Sequence, residues 1–174
     1  REFCRDVLPL VQARRSDATL TVIGAEPPAE IRALGELPGV TVTGTVPDVR
    51  PFAWRAIASI APLRIARGTQ NKILEAMAMG LPVMCSPRAA AGVEATAGEH
   101  LLVADAPAEQ AEAVLRLIEE PDLRRRLAMA GRRRVEERYS WPAAMARFDA
   151  LIEECLARRG RPVGTASDTA KACA

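Results

Sequence analysis

Between residues 2 and 15 apolar side chains recur at Phe3, Val7, Leu8, Leu10 and Val11, a spacing near 3.6 that predicts a helix. Pro9 falls inside it and removes one backbone donor, a cost the helix must absorb. Short β-rich runs follow at residues 19–24, 40–43 and 57–61, the first ending in Gly24 and the second followed by Gly44. Residues 28–37 predict a short helix with proline near its start. Residues 48–55 predict one or two helical turns with Asp48 as the N-cap. The clearest helix covers residues 70–79 between Gly68 and Gly80, and the next strands are residues 81–85 and 101–104. From Pro107 onward the pattern is helical over residues 109–119, 122–138 and 142–157, with Ser140 and Pro142 marking the last helix start. Residues 160–174 have no period and read as a disordered tail.

Strands of four to six residues, each followed by a helix, predict an α/β fold, Rossmann-like, with a doubly wound parallel sheet and a helical C-terminus. Such sheets bind ligands at the carboxyl ends of their strands. The loops that matter are therefore residues 24–28, 44–48, 62–71 and 86–92. A chain of 174 residues with 49% hydrophobic and 26% charged side chains has globular composition and enough length for one core. Its net charge of +2 gives no electrostatic basis for binding nucleic acid. No apolar run reaches the roughly 20 residues of a membrane span. The single histidine, His100, excludes any two-histidine metal site and reads as a loop residue rather than a general base. The four cysteines are scattered without a Cys-x-x-Cys pair, which fits reduced thiols in a cytoplasmic protein and no metal centre. The chain begins with Arg1 rather than Met, as expected of a piece of a longer protein.

The densest chemistry lies in residues 61–83: a strand, a polar loop holding Arg64, Arg67, Gly68 and Thr69, then a helix opening with Gln70, Asn71 and Lys72. Gly68 allows close backbone approach, and free amides at a helix start hold phosphate. Glu75 lies on the same helical face as Lys72. A cation for a diphosphate beside a carboxylate for ribose hydroxyls is what a nucleotide needs, while the bland alternative is a surface helix with a local Lys–Glu pair.

Lys72-Ile-Leu-Glu-Ala-Met-Ala-Met-Gly-Leu-Pro-Val83 resembles the donor-binding signature of retaining glycosyltransferases of family 4, the group 1 enzymes with the GT-B fold. Thr21-Val-Ile-Gly24, Val42-Thr-Gly-Thr-Val46, Ser59-Ile-Ala-Pro-Leu63 and Gly98-Glu-His-Leu-Leu-Val103 fall in the family's order. The loop from Pro62 to Lys72 is most similar to that of sugar transferases of bacterial exopolysaccharide systems.

The resemblance implies that residues 1–159 are the donor-binding, C-terminal half of a two-domain enzyme. That enzyme moves a sugar from a nucleotide diphosphate sugar to a growing, lipid-linked saccharide, with no permanently bound cofactor. Glu75 matches the ribose-binding glutamate. Gly68 and Thr69 match the backbone around sugar and diphosphate, Gly44 to Val46 the turn beside the nucleobase, and Gly24 a position near the diphosphate. Arg64, Gln70 and Asn71 complete the binding set, and Arg67 with Lys72 are the candidate catalytic cations.

Two departures stand out. Arg67 occupies the usual position of a sugar-reading glutamate, so it serves either an acidic donor sugar or the diphosphate. The family's first strand in this half, with its basic pair, would precede Phe3 and fill a slot between residues 20–23 and 57–61. An empty slot is expected to leave the chain marginal, to close by direct pairing or to drive self-association. The other partners implied are the acceptor and the N-terminal GT-B domain, at the inner face of a membrane. The runs Arg124–Arg126 and Arg132–Arg134 read as a mixed-charge solvated face, with anionic membrane contact as the rival reading, and Trp141 as a pin for the last helices. A GT-B nucleotide-sugar epimerase and a non-catalytic nucleotide-sugar-binding module remain the alternatives.

Overall fold

A computed structural model of the protein describes residues 1–159, and the tail expectation for residues 160–174 lies outside the described residues. Five strands, β1 (Leu20–Val22), β2 (Val40–Val42), β3 (Ser59–Ala61), β4 (Val83–Cys85) and β5 (Leu102–Val103), each fall inside a run of β-rich sequence. All the pairings are parallel. Leu20 faces Val40, Ser59 faces Val83 and Met84 faces Leu102.

The predicted first helix is divided. A π-helical stretch, Phe3–Val7, leads into α1 (Leu8–Arg14), and the N–H of Leu8 reaches back to the carbonyl of Phe3. Pro9 thereby falls in the first turn of α1, where its missing donor costs least. Phe3, Val7, Leu8 and Val11 are buried as the period requires, whereas Leu10 is exposed. Residues 28–37 form α2 (Ala29–Arg32) and a 3-10 turn. The Asp48 carboxylate accepts the Arg50 N–H at 2.9 Å at the start of α3 (Arg50–Ala53). After α4 (Asn71–Ala78) comes a one-turn helix not anticipated from the sequence, α5 (Pro87–Ala90), capped by Ser86. Helices α6 (Pro107–Glu119), α7 (Pro121–Tyr139) and α8 (Trp141–Arg159) follow. Glu109 supports the start of α6 by accepting the N–H groups of Asp105 and Ala106.

The sheet differs from a single doubly wound layer. β1 and β2 form one pair, and β3–β4–β5 form a separate three-stranded sheet. β1 and β3 do not pair with each other. Between them lies a groove of about 710 Å³, lined by residues of both strands and of α1, α3, α4 and α6. The core packs α1 and α6 against the sheet through Val11, Met84, Leu115 and Leu117, and Leu127 of α7 joins it. All three residues of β4 are buried, as in any parallel strand covered on both faces.

The described residues divide into two compact units, residues 1–137 and residues 138–159. In the first, the arginine runs of α7 are largely tied to their surroundings. Arg124 donates to the last carbonyls of α6 at 2.8 Å, Arg125 pairs with Asp122, and Arg132 with Glu136. In the second, the Ser140 hydroxyl accepts the Ala143 N–H at 3.4 Å at the start of α8. Trp141 is 80% exposed, contrary to the buried pin its size suggests.

Candidate functional site

The carboxyl ends of β1 to β4 carry the four loops singled out in the sequence. Gly24 follows β1, and a Cβ there would meet nothing within 4 Å. Gly44 follows β2 with φ +71°, a left-handed turn that turns the chain toward Val46. The loop after β3 reaches its own left-handed turn at Gly68, φ +62°.

This loop is braced from two directions. The Gln70 amide donates to the carbonyls of Arg67 (3.2 Å) and Gly68 (3.1 Å). Behind it, the buried Ser86 hydroxyl donates to the Leu63 carbonyl at 2.6 Å and accepts the Ala89 N–H at 3.3 Å. Gly92 closes against the same loop so tightly that a Cβ there would lie 2.1 Å from the Gly68 carbonyl oxygen.

With the Gln70 amide committed to the loop, α4 begins without a side-chain cap. Its first N–H groups therefore point out of the helix start, where a phosphate is the natural partner. Arg67, Lys72 and Glu75 are exposed around this start. Among the described residues none of the three charged heads has a hydrogen-bond or ion-pair partner. The local Lys72–Glu75 pair, three residues apart on one helix, is not formed. Other exposed charges are neutralised nearby, as in Arg50–Asp48, Arg15–Asp17 and Arg116–Glu120. Three unpaired charges, two cations and a carboxylate, thus stand beside an uncapped helix start.

The other candidates are placed as follows. Thr69 and Asn71 are exposed on the same loop and first turn. Arg64 is engaged by the Glu2 carboxylate, so it is less available than the sequence implied. Lys72 and Glu75 also line the mouth of the groove between β1 and β3. Gly24, Gly44 and Val46 follow β1 and β2 and are not among the residues that line that groove. His100 is a loop residue, its Nδ1 accepting the Thr96 N–H at 3.0 Å. Cys85, at the end of β4, is buried, and burial pushes its thiol up to about 11, far from a nucleophile's range. Ser86 and Gly92 were not singled out individually. The Ser-Pro pair at 86–87, an N-cap followed by a first-turn proline, is the signal that marks α5, and Gly92 lies just past its end.

A family model described as glycosyl transferases group 1 matches residues 1–120. The chain belongs to the group 1 glycosyl transferases. No curated protein matches it. Solved structures share the fold at low identity. The C-terminal domain of a group 1 glycosyl transferase from Francisella tularensis is 19% identical with TM-score 0.66, covering 80% of this chain and 78% of that one. A glycosyltransferase from Rickettsia africae is 12% identical with TM-score 0.72, covering 89% of this chain and 45% of that one. An Anabaena protein in complex with UDP and glucose is 16% identical with TM-score 0.68, covering 88% and 44%. This group 1 chain thus spans less than half of these two longer proteins, and its fold is the Rossmann-like C-terminal half of GT-B. No helix among the described residues is long and apolar enough to cross a membrane.

Proposed function

We propose that residues 1–159 form the donor-binding half of a retaining GT-B glycosyltransferase, which moves a sugar from a nucleotide diphosphate sugar to a growing saccharide. The observation that carries this reading is the set of unpaired charges, Arg67, Lys72 and Glu75, around the uncapped start of α4. As the bond from sugar to diphosphate breaks, negative charge builds on the departing phosphate oxygen. Cations and helix-start N–H groups already aimed there stabilise that charge without reorganising. Glu75, one turn into α4, is suited to accept hydrogen bonds from the ribose hydroxyls. The likeness to a protein solved with UDP and glucose supports the same ligand class.

Arg67 serves the diphosphate in this reading, because a planar guanidinium matches phosphate oxygens and a leaving diphosphate requires cationic stabilisation. The acceptor is a lipid-linked saccharide of the exopolysaccharide type, met at the inner face of the membrane by the N-terminal domain. Transfer needs both halves, so the chain alone binds nucleotide and transfers little.

Thermal-shift titration with nucleoside diphosphates and their sugars tests the reading, since a ligand that binds the native state raises the melting temperature. Glu75→Gln should lower nucleotide affinity at least tenfold while the protein stays folded, because a charge-assisted hydrogen bond contributes about 1.5–3 kcal/mol. Unchanged affinity in the folded variant removes Glu75 from the site. In the two-domain enzyme, Arg67→Ala should slow transfer from every donor, whereas selective loss with acidic sugars reassigns Arg67 to the sugar. Conversion of donor without acceptor would indicate an epimerase instead.

A further inference from the structure

The three arginines at 132–134 on α7 do different things. Arg132 pairs with Glu136 on its own helix, and Arg133 is exposed with no hydrogen bond or ion pair among the described residues. Arg134 is half-buried, and its Nε donates to the backbone carbonyl of Glu94, forty residues earlier in the chain. A hydrogen bond from a charged donor is among the stronger contacts a side chain makes. Gly131 lies three residues before Arg134 and so shares its helical face. It is buried, and a Cβ there would sit 3.0 Å from the His100 carbonyl oxygen and 3.4 Å from Cγ of Met77 in α4. One face of α7 therefore rests on both ends of residues 94–100 and on α4.

From Glu94 the contact continues toward the start of α4. Val93 is buried and its N–H donates to the Ala90 carbonyl at 3.0 Å, while Ala95 N–H donates to the Val93 carbonyl at 2.8 Å. The segment therefore has little slack. Gly92, two residues before Glu94, is seated against the loop after β3, where its nearest neighbours are the Gly68 carbonyl and Cγ of Gln70. Gln70 in turn holds the Arg67 and Gly68 carbonyls and precedes the first residue of α4.

We propose that Arg134 is a positioning residue for the site at the start of α4. By holding the Glu94 carbonyl it keeps Gly92 against Gly68 and Gln70, and so sets where Arg67 and the first N–H groups of α4 stand. It acts through the backbone of residues 92–94. The consequence for nucleotide rests on the donor-binding reading, whereas the hold on the loop does not.

Two measurements on the 174-residue chain test this. Trypsin cleavage of the native protein after Arg67, followed by mass, reads how often the loop opens. Titration with UDP, ADP and GDP reads the site. Three substitutions separate hydrogen bond from charge. Gln carries its amide nitrogen as many bonds from the backbone as the Arg Nε, without the charge, and Lys keeps the charge but places a carbon there. Arg134→Ala and Arg134→Lys should speed cleavage after Arg67 about fivefold or more and weaken the bound nucleotide about tenfold. Arg134→Gln and the control Arg133→Ala should stay within about twofold of the parent in both. If Arg134→Ala fails to fold, the Lys–Gln comparison decides. Parent-like behaviour of Arg134→Ala overturns the proposal, and so does faster cleavage with unchanged affinity, which would leave Arg134 a brace for the loop alone. Affinity kept by Lys and lost by Gln also overturns it, because Arg134 would then act on the ligand by charge. If no nucleotide binds the parent, the donor reading fails, and cleavage after Arg67 still decides whether Arg134 holds the loop.

Discussion

Gly92→Ala probes how the loop after β3 is held. Gly92 has no left-handed backbone strain to relieve, so the substitution acts by contact alone. A Cβ at this position meets the Gly68 carbonyl oxygen at 2.1 Å, its carbon at 3.2 Å and the Gln70 Cγ at 3.6 Å. The first neighbour is backbone and cannot rotate away. Reaching even the shortest tolerable separation opens the two loops by about 0.9 Å, and overpacking of this kind costs about 1–3 kcal/mol. At about 2–4 °C per kcal/mol for a chain of this size, Tm should fall by several degrees. Affinity should suffer as well, because Gly68 and the Gln70 hydrogen bonds beside it set the entry to α4, and misplacement near 1 Å weakens positioning by up to about 10²-fold. Calorimetric melting and nucleotide titration of the variant measure both effects. Gly35→Ala, whose Cβ meets only Val42 at 3.8 Å, is the matched control and should change neither. A Gly92→Ala protein with the melting point and nucleotide affinity of the parent would refute this account of the loop.

Ser86→Ala should cost about 1–2 kcal/mol in denaturant unfolding, because it removes both the cap of α5 and the 2.6 Å bond to the Leu63 carbonyl. For Cys85, burial raises the folded-state thiol from its ordinary value of 9.0 to about 11. The unfolded chain then ionises first, so stability is full below pH 9 and declines between pH 9 and 11 by up to about 2–3 kcal/mol. Urea unfolding across that range should lose this slope in Cys85→Ala. Thiol alkylation of the native protein at pH 8 should modify exposed Cys155 and spare buried Cys4 and Cys85.

The periodicity of residues 2–15 specified the buried face of the first helix but not its division, because the placing of Pro9 in a first turn depends on the wider turn before it. Ser140 was legible as a cap because capping is a contact within three residues, whereas the expected cap Asp48 lies one residue before the N-cap Val49 and accepts from Arg50. Lys72 and Glu75 were legible by spacing, but spacing left open whether they pair with each other. Their unpaired state depends on how side chains settle around the folded helix start. The reach of Ser86 to Leu63 and of Gly92 to Gly68 spans more than twenty residues, and no local pattern encodes a contact of that length.

By itself the sequence determined where the five strands and most of the helices lie, α5 being the exception, since period and turn chemistry are local properties. It also determined which loop carries the charged groups. The tertiary structure decided which of those groups stay free, Arg67, Lys72 and Glu75, and which are spoken for, Arg64 and Gln70. It decided too that β1 and β3 face an open groove instead of each other. Strand order is set by long-range backbone pairing and by the helices that cover it, and those forces act only once the layers are assembled.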